Sequence, residues 1–157
     1  FLITVAAYPE THPESPSPDA DIEMLKRKTE AGAKQAITQF FFNPEHYFRY
    51  RDKVAAAGIS IPIIPGIIPV LNLARIKSFA AKCGTEVPLW LAERFVGLDD
   101  DVESRKAIAA DIATKLCQDL KSGGVEQFHF YTLNQADLTL EICHNLGCNN
   151  ESAGEIR

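Results

Sequence analysis

Four short apolar runs, rich in β-branched and aromatic residues, recur along the chain, and stretches with helical spacing separate them. Leu2 to Tyr8, Ala36 to Phe42, Ile59 to Ile67 and Val125 to Thr132 have the composition of buried strands. After the first comes a loop from Pro9 to Pro18 that holds four prolines and carries Glu10, His12 and Glu14. Asp19 or Asp21 is then expected to cap a helix reaching about Glu30, with Ile22, Leu25 and Thr29 inward and Gly32 past its end. Pro44 to Ala57 repeats the pattern through Tyr47, Tyr50 and Val54, and Gly58 stops it. Asn72 to Cys83, Pro88 to Phe95 and Asp101 to Ser122 predict three helices before the fourth strand, and Ala136 to Leu146 predicts one after it.

Strands that alternate with helices and are apolar throughout indicate a parallel sheet covered by helices. An open doubly wound sheet and part of a (β/α)8 barrel both fit the order. No Gly-x-Gly-x-x-Gly follows any strand, which weakens the dinucleotide-fold version. In a barrel the chemistry sits at the carboxyl ends of the strands. Here those ends carry Ala7-Tyr8, Gln39 to Phe41, Pro65-Gly66 and Tyr131-Thr132. A full barrel takes roughly 250 residues, so four βα units amount to about half of one.

Composition narrows the function. The 157 residues are 46% hydrophobic and 24% charged, as in a globular domain, and the net charge of −5 disfavours a nucleic-acid-binding surface. No apolar run approaches the ~20 residues of a membrane span, and no signal-peptide pattern opens the chain. Cys83, Cys117, Cys143 and Cys148 form no paired framework. They read as reduced cytoplasmic thiols, and no metal is assigned. The chain opens at Phe1 inside an apolar run, which reads as the downstream part of a longer protein.

One residue stands out inside a strand. Period-2 alternation puts Gln39 on a face with Ile37 and Phe41, and Thr38, Phe40 and Phe42 on the other. A buried amide without partners costs on the order of 1–3 kcal/mol, so either the protein or a ligand must satisfy it. Internal satisfaction is the commoner case.

Four blocks now align with a known family: Ala6-Ala7-Tyr8-Pro9-Glu10-x-His12-Pro13-Glu14, Ile37 to Phe42, Ile64-Pro65-Gly66-Ile67-x-Pro69 and Phe128 to Asn134. In order and spacing they resemble methylenetetrahydrofolate reductase. The resemblance implies a TIM (β/α)8 barrel, of which this chain supplies about the last four βα units, strands five to eight. Residues 1–148 would then be half of one catalytic domain, and 149–157 a polar tail. It also implies FAD as cofactor, NADH or NADPH as co-substrate, 5,10-methylenetetrahydrofolate as the molecule reduced, a cytoplasmic location and a homo-oligomer.

By the same resemblance, Ala6, Tyr8 and His12 lie along the flavin and its ribityl chain. Asp21, Met24, Arg27 and Lys28 lie near its adenosine and diphosphate, where a cation beside phosphate is electrostatically sensible. Gln39 reads the pterin and, alternately, the nicotinamide carboxamide, since an amide offers donor and acceptor together. Phe79 stacks on the aminobenzoyl ring or the nicotinamide cofactor. Gln135 stands where bacterial relatives carry an Arg for the folate's carboxylates, and Arg75 is expected to take over that contact. The family's proton-donating Glu and a flavin-facing Asp are expected upstream of Phe1, so no catalytic residue is assigned here. His129 reads as a core or outward-facing imidazole. The alternatives are a non-catalytic fragment or partner subunit, or another flavin or pterin barrel of proline-dehydrogenase or dihydropteroate-synthase type.

Overall fold

The computed structural model describes residues 1–148; the polar tail expected at 149–157 lies outside the described residues. Strands β1 (Thr4–Ala7), β2 (Gln35–Phe40), β3 (Ile63–Ile67) and β4 (His129–Phe130) form one sheet in the order β1-β2-β3-β4, with every neighbouring pair parallel. Helices α1 (Pro18–Glu30) and α2 (Pro44–Ala56) follow β1 and β2. After β3 come α3 (Leu73–Cys83), α4 (Leu89–Glu93) and α5 (Val102–Ser122), and α6 (Ala136–Asn145) follows β4. Among the described residues no helix is long and apolar enough to cross a membrane.

The helix starts follow local chemistry. Ser17, not Asp19 or Asp21, caps α1: its Oγ accepts the Ala20 N–H at 3.2 Å, with Pro18 opening the helix behind it. Asn43 caps α2 in the same way ahead of Pro44. Asn72 caps α3, and Asp101 caps α5.

The strands are shorter than their apolar runs. Ile59 closes α2, with its N–H bonded to the Val54 carbonyl, and Pro62 has no N–H to give a ladder. Among the described residues β4 is an outer strand that pairs only with β3, so just two residues of the expected eight qualify. At the other edge Phe1, Leu2 and Ile3 are exposed.

Three clusters hold the layers together. Ala7, Ala36, Leu25, Tyr50 and Val54 pack α1 and α2 on the first two strands. Phe41, Tyr47 and Ile67 join α5 and α6 through Ala109, Ala113, Leu120 and Ile142. Phe40, Phe42, Val70, Ile76, Leu91 and Phe95 bind α3 and α4.

One connection is unusual. α3 leaves the exit of β3, yet its far end returns to the exits of β2 and β1. Thr85 Oγ1 donates to the Phe40 carbonyl at 3.1 Å, and the Glu86 N–H donates to Glu10 Oε1 at 2.8 Å. Both ends of α3 therefore lie at the carboxyl side of the sheet, and the helix crosses over the strand ends.

Candidate active site

The crossing of α3 makes the carboxyl end of the sheet a partly roofed surface. Its centre is a bulge in β2. Ile37 pairs with Ile64 and Phe40 with Gly66, so β2 spends one residue more than β3 between the two pairs. Thr38, fully buried, stitches the distortion: its Oγ1 accepts the Gly66 N–H at 2.9 Å, and its carbonyl accepts the Tyr131 O–H at 2.9 Å. A Cβ on Gly66 would collide with the Thr38 carbonyl and come within 2.6 Å of the Tyr131 ring. Glycine there is a requirement of packing.

Gln39 departs from its sequence expectation. It lies at the carboxyl end of β2 as expected, but half-buried rather than buried, and its Oε1 accepts the Phe40 backbone N–H at 3.0 Å. The amide thus satisfies a backbone donor beside the bulge, and its Nε2 makes no hydrogen bond among the described residues. It lines none of the clefts described below.

A cleft of about 450 Å³ opens at the exit of β1. It brings together Ala6, Tyr8, His12, Asp21, Met24 and Lys28. Arg27, expected with them, does not line it; that side chain points along the exposed face of α1 and pairs with Glu23 at 3.5 Å. One turn of helix carries Met24 and Lys28 to the cleft and Arg27 past it. Asp21 Oδ2 accepts the His12 N–H at 3.0 Å, which fastens the proline-rich loop to α1. His12 Nδ1 accepts the Glu14 N–H at 3.0 Å, and its Nε2 makes no hydrogen bond among the described residues. The rings of Tyr8 and His12 meet edge to face at 4.6 Å. Lys28 Nζ donates to the Ala6 carbonyl at 3.1 Å, which places a cation at the strand exit. Burial raises the Tyr8 phenol above its ordinary value, with Cys83 and Asp21 adding to the shift, so it stays a donor.

A second, smaller cavity of about 50 Å³ lies between α3 and the β4–α6 loop, and Arg75 and Gln135 share its wall with Thr132 and Leu133. The Arg75 guanidinium sits 5.6 Å from the centre of the Phe79 ring. Leu133 and Asn134 adopt positive φ, 49° and 63°. Two consecutive left-handed residues, one of them Leu, mark a strained turn at the rim of a cavity. Asn134 carries a composition cue for that turn; Leu133 carries none. His129, half-buried, meets the Tyr131 ring at 4.8 Å.

Tyr50 was read as plain core, but its side chain also reaches the β1 cleft. Among the described residues its buried hydroxyl makes no hydrogen bond, and burial raises its pKa strongly.

The parallel sheet, its covering helices and the clefts at its strand exits define an α/β protein. The chain belongs to the methylenetetrahydrofolate reductase family, whose family model matches residues 1–147. It is 53% identical over 147 residues to 5,10-methylenetetrahydrofolate reductase of Escherichia coli K12, covering 94% of this chain and 50% of that protein. A probable methylenetetrahydrofolate reductase (NADH) of rice is 34% identical over 161 residues, covering 97% of this chain and 27% of that one. The chain therefore spans about half the length of the bacterial relative it matches. Among solved structures, an uncharacterized Clostridium thermocellum protein that binds two copies of 5-methyl-5,6,7,8-tetrahydrofolic acid shares the fold. Its TM-score is 0.59 at 18% identity, covering 93% of this chain and 54% of that one.

Proposed function

We propose that this chain is the carboxyl-terminal half of the catalytic (β/α)8 barrel of an FAD-dependent, cytoplasmic, homo-oligomeric methylenetetrahydrofolate reductase. The intact enzyme reduces 5,10-methylenetetrahydrofolate to 5-methyltetrahydrofolate with NADH or NADPH. The observation that carries the reading is the β1 cleft, which collects six of the seven positions expected against the cofactor: Ala6, Tyr8, His12, Asp21, Met24 and Lys28.

The donor set fits FAD. Ala6 leaves room at the strand exit for a flat ring, Lys28 supplies a cation for the diphosphate, and Asp21 fixes the loop that carries His12. When bound, FAD supplies the two-electron chemistry between NAD(P)H and the folate; the protein supplies orientation and electrostatics. Gln39 orients the pterin or the nicotinamide carboxamide through its uncommitted Nε2, with its Oε1 steadied by the Phe40 N–H. Phe79 offers a stacking face for the aminobenzoyl ring or the nicotinamide. Arg75, across the cavity from Gln135, takes the carboxylates of the folate tail. No residue in this chain is assigned the proton-donor role.

The test uses the full-length protein, measured in two half-reactions. Arg75→Ala is expected to raise the KM for the folate about tenfold, in line with loss of a charge-assisted bond, and to leave NADH oxidation by a quinone acceptor unchanged. An unchanged folate KM sinks the role of Arg75. A full-length protein that purifies without flavin absorbance sinks the whole reading.

A further inference from the structure

We propose that Glu10, His46 and Glu86 form a binding site for one divalent metal ion, with zinc the best chemical match. The ion would fasten the end of α3 to the loop after β1 and to α2. The inference rests on geometry and donor chemistry and stands apart from the folate reading.

The three residues come from three separate segments: the β1–α1 loop, the first turn of α2, and the α3–α4 connection. His46 Nε2 lies 3.8 Å from Glu10 Oε1 and 3.7 Å from Glu86 Oε2. Ligand atoms of all three residues lie within 4.8 Å of one another. Those separations are too long for hydrogen bonds, which fall near 2.7–3.2 Å for N–H···O. Among the described residues the imidazole's only hydrogen bond is at Nδ1, 2.8 Å from Arg49 Nη2. So a ring nitrogen and two carboxylates converge with no hydrogen bond between the three side chains, while Glu10 Oε1 accepts the Glu86 backbone N–H at 2.8 Å. A cation that holds N and O donors at about 2.0–2.2 Å needs only a modest inward shift of the three side chains.

Charge points the same way. Glu10 and His46 are largely enclosed, at 14% and 18% side-chain exposure, whereas Glu86 is open at 70%. An enclosed carboxylate is stabilised by a paired cation. One imidazole with two carboxylates suits zinc; calcium takes six to eight oxygens, and no thiolate is present. An adjoining open cleft lined by Glu10, His46, Arg49 and Lys53 leaves room for water as a fourth ligand.

Zinc at Nε2 requires the ring proton on Nδ1, where Arg49 now donates. In the bound form the ring proton sits on Nδ1 and Arg49 turns outward. Arg49 lies on the surface, so the turn is open to it.

The full-length protein, stripped with chelator and dialysed, is titrated with zinc chloride by calorimetry and with cobalt(II) by absorbance. The expected result is about one zinc per chain and a raised thermal midpoint. Affinity should fall by at least roughly tenfold in His46→Ala and in Glu86→Gln, since even outer-shell losses cost 10–100-fold. Glu86 is exposed, so the second variant folds whatever happens to the first. Cobalt should give visible bands without the near-ultraviolet band of thiolate ligation. The proposal is overturned by a wild-type protein that takes up no zinc, by variants that bind it unchanged, or by a thiolate band that places the ion on cysteine.

Discussion

Thr38 is a small side chain with two structural duties at the bulge. Its hydroxyl receives the Gly66 N–H, and its carbonyl receives the Tyr131 O–H, so β2, β3 and the chain after β4 meet at one residue. Thr38→Val keeps the shape and deletes the acceptor. A buried N–H left unpaired costs about 1–3 kcal/mol, and urea denaturation should show a loss in that range. A loss below the error of the measurement would mean that the bond contributes nothing. Glu10 gives a pH test at the same scale. Its folded pKa is raised above the ordinary value of 4.5, chiefly by burial. The folded state then holds more protons than the unfolded state just above that value, and stability falls as pH rises through the window. Metal-free Glu10→Gln should lose this component, giving a flatter pH profile of the urea midpoint than wild type. Identical slopes would count against it.

Among the elements, α3 shows what a sequence can and cannot tell. Its existence, its start near Asn72 and its stop at Gly84 follow from spacing, cap chemistry and a positive φ of 70°. Its path across the strand ends does not. That path is fixed by Thr85 reaching Phe40 and Glu86 reaching Glu10, pairs separated by 45 and 76 residues. Local periodicity holds no information about partners so distant. The Gln39 amide is similar: alternation placed it on its face, but only pairing with β3 produces the bulge beside which its Oε1 is occupied. The β1 cleft was legible because a compact motif, Tyr8 to His12, and one helix face supply most of it. Arg27 lies outside that cleft because a helix turns each of three adjacent cations in a different direction. Since the first turn of α3 carries Arg75, in the proposed reading it should bear on the folate tail. Asn72→Ala removes the bond to the Arg75 N–H. It should cost about 1 kcal/mol of stability. It should also raise the folate KM while quinone-coupled NADH oxidation holds. Equal loss in both half-reactions would show that the roof supports the flavin side too.

At the scale of the whole molecule, the sheet has two outer strands with open ladders. β1 pairs only with β2, and β4 only with β3, among the described residues. Beside β1 the side chains of Phe1, Leu2 and Ile3 are exposed at 124%, 68% and 48%. Parallel sheets are rarely left with an uncovered apolar flank, and a free edge pairs with whatever strand is available. In the barrel reading, further strands of the same polypeptide take both edges, and the ring closes without any free ladder. The 157-residue chain expressed by itself lacks those strands. It should therefore associate through its edges and run as a dimer or larger species in light scattering, with the share of monomer rising on dilution. Leu2→Lys combined with Ile3→Lys places charge along the β1 edge and should shift that distribution toward monomer. A full-length polypeptide should not respond to dilution in this way, because its edges are paired internally. If the isolated chain instead stays monomeric at high concentration and unfolds in one cooperative step, its sheet is complete as it stands. Four parallel strands would then be the domain, and the closed barrel would have to be abandoned.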